Sequence, residues 1–127
     1  MKLRIIPVLV FTLLAGCSKI HEQRSFTLEP QATNTLSVTA PVSEQVVTVA
    51  VTSDQDISVY VLLEKNVPKV DKSDFEPEKM KEGVLAKEVL TKSATLEVKI
   101  PAKEAFEIFL VNRNNKAANV TVKVDSH

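Results

Sequence analysis

Glycine, cysteine, histidine and tryptophan are all scarce in this chain. Its 127 residues include two glycines, one cysteine, two histidines and no tryptophan. Loops that cradle phosphate groups depend on glycine, so this composition excludes nucleotide-binding loops of that kind. A single cysteine excludes a disulfide within the chain. A domain of this size must then be stabilised by its own hydrophobic core.

The chain also lacks the charge and the aromatic residues that nucleic-acid binding requires. Two of the 16 basic residues, Lys2 and Arg4, and none of the 16 acidic residues lie in residues 1–16. Residues 17–127 therefore carry 14 basic and 16 acidic residues, a formal charge of −2. They hold one tyrosine and four phenylalanines, most of them in apolar runs. Stacking on bases needs exposed rings, so we expect no nucleic-acid partner.

A short N-terminal segment, basic and then apolar, ends at the only cysteine. Lys2 and Arg4 precede an 11-residue apolar run from Ile5 to Ala15. This run suits a secretory signal and is too short for a spanning helix, which needs about 20 residues. The stretch Leu13-Leu14-Ala15-Gly16-Cys17 resembles the lipobox of bacterial lipoproteins. The alternatives are an ordinary signal peptide with a chance cysteine, and an N-terminal core strand.

The lipobox resemblance implies cleavage between Gly16 and Cys17 and removal of residues 1–16 as a signal peptide. It also implies a diacylglyceryl group on the Cys17 sulfur, with two or three acyl chains in total. One acyl chain gives only marginal membrane binding, whereas two or more hold a protein stably. Ser18 after the cysteine is compatible with the outer membrane if the host is Gram-negative. We therefore expect a bilayer partner through acylated Cys17.

Residues 17–24 are polar and lack periodicity, which predicts a lipidated tether. From residue 25 onward, apolar residues alternate with polar ones in short β-branched runs, as in half-buried strands. The predicted strands are 25–28, 35–39, 46–52, 57–63, 84–90, 95–100, 106–111 and 119–124, of which 84–90 also fits a helix. We predict an all-β domain over 25–127. Its expected form is one antiparallel β-sandwich of about seven or eight strands, jelly-roll or immunoglobulin-like.

The segment 65–83 interrupts this pattern with turn-forming and charged residues. Within this segment, residues 77–82 fit a helix of one or two turns, because Pro77 suits the first position of a helix and Gly83 suits the position just after its end. We therefore expect a long loop or short helix near 65–83. Connections of this length are usually functional or disordered, which makes the loop the expected contact surface.

Two segments of the domain resemble a known module. The stretch 54–61, an acidic turn leading into a D-x-x-x-Y-V strand, is similar to the central strand of bacterial pre-peptidase C-terminal domains and GOLD-like sandwiches. The segment 106–124 resembles their closing hairpin. Together the two segments cover under a third of residues 17–127. The resemblance implies a non-catalytic sandwich of adhesive or targeting type, and it carries over no binding residues.

No metal or cofactor is expected from the sequence. His21 and His127 lie near the two ends of the mature chain, and Cys17 is assigned to lipid. The densest carboxylate cluster is Asp71, Asp74, Glu76 and Glu78. A calcium loop of the EF-hand type needs glycine at its sixth position, which Glu76 occupies here. Interleaved lysines make a solvated loop the expected structure, and weak calcium binding is the alternative.

No catalytic residues are expected either. Ser58 and Ser93 have no predicted histidine partner, which nucleophilic catalysis would need. Glu97, Glu107 and Asp125 lie on strands at positions that alternate outward, so we expect them to face solvent.

The sequence therefore predicts a membrane-anchored, non-catalytic envelope lipoprotein that acts as a protein-binding or structural module. The first alternative is an inhibitor of an envelope or foreign hydrolase, such as a protease or lysozyme. The second is an enzyme or ligand carrier, which would need a deep pocket lined by Tyr60 and carboxylates.

Overall fold

The computed structural model describes residues 19–71 and 75–127. This part of the chain is all-β, with six antiparallel strands and two short 3₁₀ turns at Glu64–Asn66 and Pro77–Lys79. The strands are β1 (His21–Leu28), β2 (Ala32–Val38), β3 (Gln45–Leu63), β4 (Val84–Ile100), β5 (Phe106–Asn112) and β6 (Ala118–Ser126). Within these residues, no helix has both the length and the apolar character needed to cross a membrane.

Six strands stand where the sequence predicted seven or eight, because two of them are unusually long. The predicted strands 46–52 and 57–63 are parts of β3, which has 19 residues. The predicted strands 84–90 and 95–100 are parts of β4, which has 17. Irregularities in the β3–β4 register between Thr52 and Ile57 let β3 continue through a polar stretch. Bulges of this kind bend a strand without ending it.

The sheet order is β1-β6-β3-β5-β2, and β4 pairs with β3. The first part of β3, residues 47–53, pairs with β6, and the second part, residues 58–63, pairs with β5. One half of the sheet therefore contains β1 and β6, the other contains β2 and β5, and β3 belongs to both. The strands β1 and β2 lie at the two ends of this order.

Both halves of the sheet bury alternate residues in one shared core. Val49, Val61 and Val122 come from different segments and have no exposed surface. The core also contains Leu28, Leu36, Val38, Val47, Val51, Ile57, Val59, Leu63, Leu96, Val98, Ile100, Phe106, Ile108, Leu110, Ala118, Val120 and Val124. Each large apolar side chain buried in this way contributes about 1.5–3 kcal/mol. The period-two pattern therefore predicted the core correctly.

A second, smaller cluster lies on the reverse face of β3 and β5. It comprises Tyr60, Leu62, Phe75, Phe109 and Val111. Phe75 comes from the segment between β3 and β4, here called the strap (described residues 64–71 and 75–83). Its ring packs edge-on against Phe109, with ring centroids 4.8 Å apart and an interplanar angle of 74°. The strap therefore covers this face of the sheet.

The predicted helix over 77–82 is only a 3₁₀ turn at Pro77–Lys79. Gly83 ends the strap with φ of +88°, a conformation in which a side chain is strained. This supports the predicted exit at Gly83 and explains why the chain turns into β4 there.

The ordered sheet begins earlier than the predicted domain boundary at residue 25. Residues 21–24 belong to β1 and pair with residues 125–122 of β6. Ile20 is also bound, because its amide donates to Ser126 Oγ at 2.7 Å and its carbonyl accepts from Ser126 N at 3.0 Å. Residues 21–24 are polar on both faces of the strand, so they show no alternation of apolar and polar residues that would predict a strand.

Candidate functional site

The predicted lipidation site lies just before the described part of the chain. Gly16 and Cys17 are outside the described residues. Ile20, three residues after Cys17, is held at the edge of the sheet by Ser126 and packs against the core. Any anchor on Cys17 therefore joins the domain at the position of Ile20.

Several segments meet around Ile20, and we call this surface the anchor end (residues 19–22, 39–44, 101–104 and 125–127). A cleft of about 350 Å³ lies between the first two of these segments. The amide of Lys103 donates to the carbonyl of Pro41 at 2.7 Å, which joins the second and third. The fourth segment contains the last two residues of β6 and His127, and it bonds to Ile20 through Ser126.

A groove separates β1 from β2, although the two strands are consecutive in the chain. Within the described residues, β1 pairs only with β6 and β2 only with β5. A cleft of about 200 Å³ between them is lined by Arg24, Ser25, Phe26, Asn34, Thr35, Leu36 and Leu110. We call this groove the seam (residues 24–26 and 34–36, with Leu110 from β5). At one end it continues towards the cleft at the anchor end.

One backbone N–H group at the seam, that of Thr35, is hydrogen-bonded to a neighbouring side chain and not to another strand. The Thr35 amide donates to Asn34 Oδ1 at 2.8 Å. A side-chain acceptor from the preceding residue indicates that this amide points away from β5, along the free edge of β2. Edge strands present unpaired amides and carbonyls that another chain can bind. Asn34 therefore covers a position that an incoming strand would otherwise bind.

The strap is fastened to the sheet by an ion pair. Arg113 Nε donates to Glu78 Oε2 at 2.7 Å, and Arg113 Nη2 donates to Oε1 at 3.3 Å. Burial alone would raise the pKa of Glu78, but the hydrogen bond and charge of Arg113 outweigh it and hold the pKa below its usual value. Arg113 also donates to the Gln31 carbonyl at 3.3 Å. The guanidinium thus joins the strap to the turn between β1 and β2.

Tyr60 lies beneath the strap and is 4% exposed. Burial raises the pKa of its phenol, and the nearby Glu78 carboxylate raises it further. Ser58 contacts the same phenol and also accepts the Leu90 amide at 3.1 Å. The Tyr60 ring is part of the second apolar cluster, which also contains Phe75 of the strap.

Both histidines lie at strand ends at the anchor end. His21 Nδ1 bonds to Asp125 Oδ1, and Thr48 Oγ1 bonds to His127 Nε2 at 2.5 Å. Thr48 and Asp125 face each other across β3 and β6. The sequence placed His21 in a tether, whereas it is the first residue of β1. Within residues 19–71 and 75–127, no three His, Cys, Asp or Glu residues lie close enough to bind a metal ion.

Of the carboxylates predicted to be solvated, Asp74 lies outside the described residues, and the others have different surroundings. Glu76 pairs with Lys79 at 2.9 Å, and Glu78 pairs with Arg113. Glu97 is exposed, as expected, and Asp125 is half-buried. Glu107 does not face solvent: it is 1% exposed, and Ser37 Oγ donates to it at 3.4 Å. That prediction was wrong because Glu107 lies among wholly buried neighbours on β5.

Sequence reasoning missed the seam. Its strands were predicted, but consecutive strands usually pair with each other, and the short turn at 29–31 gives no indication that these do not. The Ala32 amide bonds to the Glu29 carbonyl at 3.2 Å, and Gln31 has φ of +60°. Only the partners of β1 and β2, at the far end of the chain, separate the two strands.

Comparison with known proteins identifies no family for this chain. No family model matches the sequence. No curated protein matches it either.

Proposed function

We propose that this chain is a lipid-anchored, non-catalytic module of the bacterial cell envelope that binds an extended segment of a partner protein along the seam. The lipobox ending at Cys17 supports the anchor. The observation that carries the binding function is the seam itself, where two edge strands flank a groove lined by both apolar and polar residues. Peptides commonly bind by adding a strand to an open sheet edge.

The composition of the seam suits such a segment. Phe26, which is half-buried, provides apolar surface for a side chain of an added strand, and the buried Leu36 and Leu110 also line the groove. The edges of β1 and β2 provide backbone donors and acceptors, which give affinity with little sequence preference. The incoming carbonyl would take the Thr35 amide from Asn34 Oδ1. Side-chain specificity would come from Arg24 and Asn34 at the rim.

The predicted sandwich is also part of this proposal. Two halves of the sheet share one core through β3, as the two sheets of a jelly-roll or immunoglobulin-like domain do. The resemblance to pre-peptidase C-terminal and GOLD-like modules implies the same architecture and a non-catalytic role.

A photoreactive amino acid at Ser25 tests the seam in living cells. The proposal expects crosslinks that map to one short segment of one protein, and none from the same group at Ser93 on β4. Thr35→Pro removes the seam amide without removing a β2–β5 bond and should abolish the crosslink. Thr35→Val keeps the amide and should retain it. Equal crosslinking by all variants would refute binding at the seam.

The anchor has its own test, and the inhibitor hypothesis another. Mass spectrometry of the native protein should find Cys17 as the N-terminal residue with acyl chains attached. An unmodified thiol on an intact N-terminus would contradict the anchor. Titrating the domain into a panel of envelope and foreign hydrolases tests inhibition, and Thr35→Pro shows whether any inhibition uses the seam.

A further inference from the structure

We infer that the anchor end of the domain rests directly on the lipid headgroups, so that the domain stands on the bilayer in one fixed orientation. This inference rests on the proposed acylation of Cys17. Its occupant is the headgroup layer of the membrane that holds the lipid. The relevant surface is the set of loops around Ile20 defined above as the anchor end.

The first reason is the length of chain between the lipid and the sheet. Ile20 is bound to Ser126 by two hydrogen bonds and packs against the core. Only Ser18 and Lys19 separate it from Cys17. Three Cα–Cα steps span at most about 11 Å.

The second reason is the depth of the headgroup layer. A bilayer has a hydrocarbon core of about 30 Å within a total of about 40–45 Å, so each headgroup layer is about 5–8 Å deep. A diacylglyceryl group places its glycerol at the inner boundary of that layer, and Cys17 is bonded to this glycerol. The remaining reach brings Ile20 to the outer boundary of the headgroups and leaves little room for water between.

The third reason is the surface at this end. Val42 is 69% exposed, the largest fraction among the large hydrophobic residues that the structure describes. Ala40 and Pro41 lie beside it and line the cleft with Ile20. The Lys103–Pro41 hydrogen bond of 2.7 Å holds the Val42 loop in place. An exposed apolar residue on the face nearest the membrane is placed to enter the headgroup region, as apolar residues of interfacial segments do.

This orientation has a consequence for the seam. The strands β1 and β2 run from the anchor end to the turn at 29–31, so the seam rises from the bilayer surface. A partner segment in the seam would therefore lie along the membrane normal. This orientation fits a partner segment that extends away from the bilayer, such as an extended juxtamembrane segment of a membrane protein.

The test uses the lipidated protein in vesicles that carry a quencher on their headgroups. Because Cys17 is the only cysteine and its sulfur bears lipid, Val42→Cys provides one reactive thiol for a fluorescent label. The matched control is Asn115→Cys in the turn before β6, at the opposite end of that strand from Ser126. That strand spans about 26 Å. We expect the label at 42 to be quenched several-fold more strongly than the label at 115.

Inserting about ten Gly and Ser residues after Ser18 tests the cause. A flexible linker of that length has a mean end-to-end distance of about 17 Å, so the label at 42 should lose most of its quenching while the protein stays on the vesicles. Equal quenching at 42 and 115, or no effect of the insertion, overturns the inference. Failure of the native protein to float with vesicles refutes the anchor instead, so the two failures are distinguishable.

Discussion

Arg113 and Glu78, 35 residues apart in sequence, form a two-pronged ion pair with N–O distances of 2.7 and 3.3 Å. Arg113 lies in the turn that follows β5, and Glu78 lies in the 3₁₀ turn of the strap. The same guanidinium donates to Thr33 Oγ1 at 3.3 Å. One side chain thus connects three segments that are far apart in sequence.

Glu78→Gln should destabilise the protein by about 0.5–1 kcal/mol, the range for a well-formed but partly exposed pair. The control Glu76→Gln, which removes a more exposed pair with Lys79, should cost less. Because Arg113 lowers the pKa of Glu78, its stabilisation is complete above the unfolded-state pKa, about 4.3, and is lost as pH falls through the lower folded-state value. Urea unfolding at neutral and acidic pH measures both effects. An unchanged acid dependence in Glu78→Gln would contradict this role.

Phe75→Ala should release the strap and cost about 3 kcal/mol, since Phe75 is 6% exposed and packs on Phe109. It should also lower the pKa of Tyr60 towards its usual value, because burial is the main cause of the rise. Tyr60 is the only tyrosine and the chain has no tryptophan. Phenolate absorbance during an alkaline titration therefore reports this one group. A Tyr60 titration that is the same in both proteins would show that the strap does not shield it.

The raised pKa of Tyr60 also has a consequence for stability at high pH. The neutral phenol is favoured in the folded protein, so its contribution is fully present below the unfolded-state pKa of about 10. It should be lost as pH rises through the higher folded-state pKa. Tyr60→Phe keeps the ring and should unfold with a smaller loss of stability between pH values of about 9 and 11. Urea midpoints of the two proteins across that range measure the difference.

Asn112→Asp should destabilise the protein by about 3 kcal/mol or more. The buried Nδ2 donates to the carbonyls of Leu28 at 3.0 Å, Glu29 at 3.3 Å and Lys116 at 2.8 Å. A carboxylate would face these oxygens with no hydrogen to donate, and unsatisfied buried groups cost about 1–3 kcal/mol, more when charged. Asn34→Asp, on the exposed side of β2, is the matched control. Similar unfolding midpoints for the two variants would contradict the role of the Asn112 amide.

Leu90→Gly should stabilise the protein by about 1 kcal/mol. Leu90 has φ of +53° and is 66% exposed, so glycine relieves backbone strain with little loss of packing. Leu85→Gly on the same strand, where φ is not positive, should destabilise instead because glycine weakens a strand. Thermal unfolding of both variants compares them. A lower midpoint for Leu90→Gly would show that the Leu90 side chain contributes more than its strain costs.

Local pattern predicted the strands well, and distant contacts explain what it missed. Asp54, Gln55 and Asp56 look like a turn, yet β3 continues through them. The Asp54 carboxylate instead accepts two hydrogen bonds from Asn119, one from its backbone N–H at 2.8 Å and one from its side-chain Nδ2 at 3.0 Å. Those contacts come from β6, more than 60 positions later, so no window of sequence around residue 54 contains the information.

Glu107 shows the same limit. Phe106 and Ile108 enter the shared core, so the alternation correctly placed Glu107 on the reverse face. The face of a sheet opposite the core is usually exposed to solvent. Here that face carries the second apolar cluster, which includes Phe75 of the strap. The seam was hidden for a related reason. Pairing of β1 with β6 and of β2 with β5 is decided by core packing across the whole domain, which periodicity does not report.

Because β3 supplies residues to both halves of the sheet, loss of order in one half should spread to the other. Fraying of β3 at residues 47–53 would also disturb its continuation at 58–63. The domain should therefore melt as one cooperative unit, and its slowest-exchanging amides should form a continuous band along this strand.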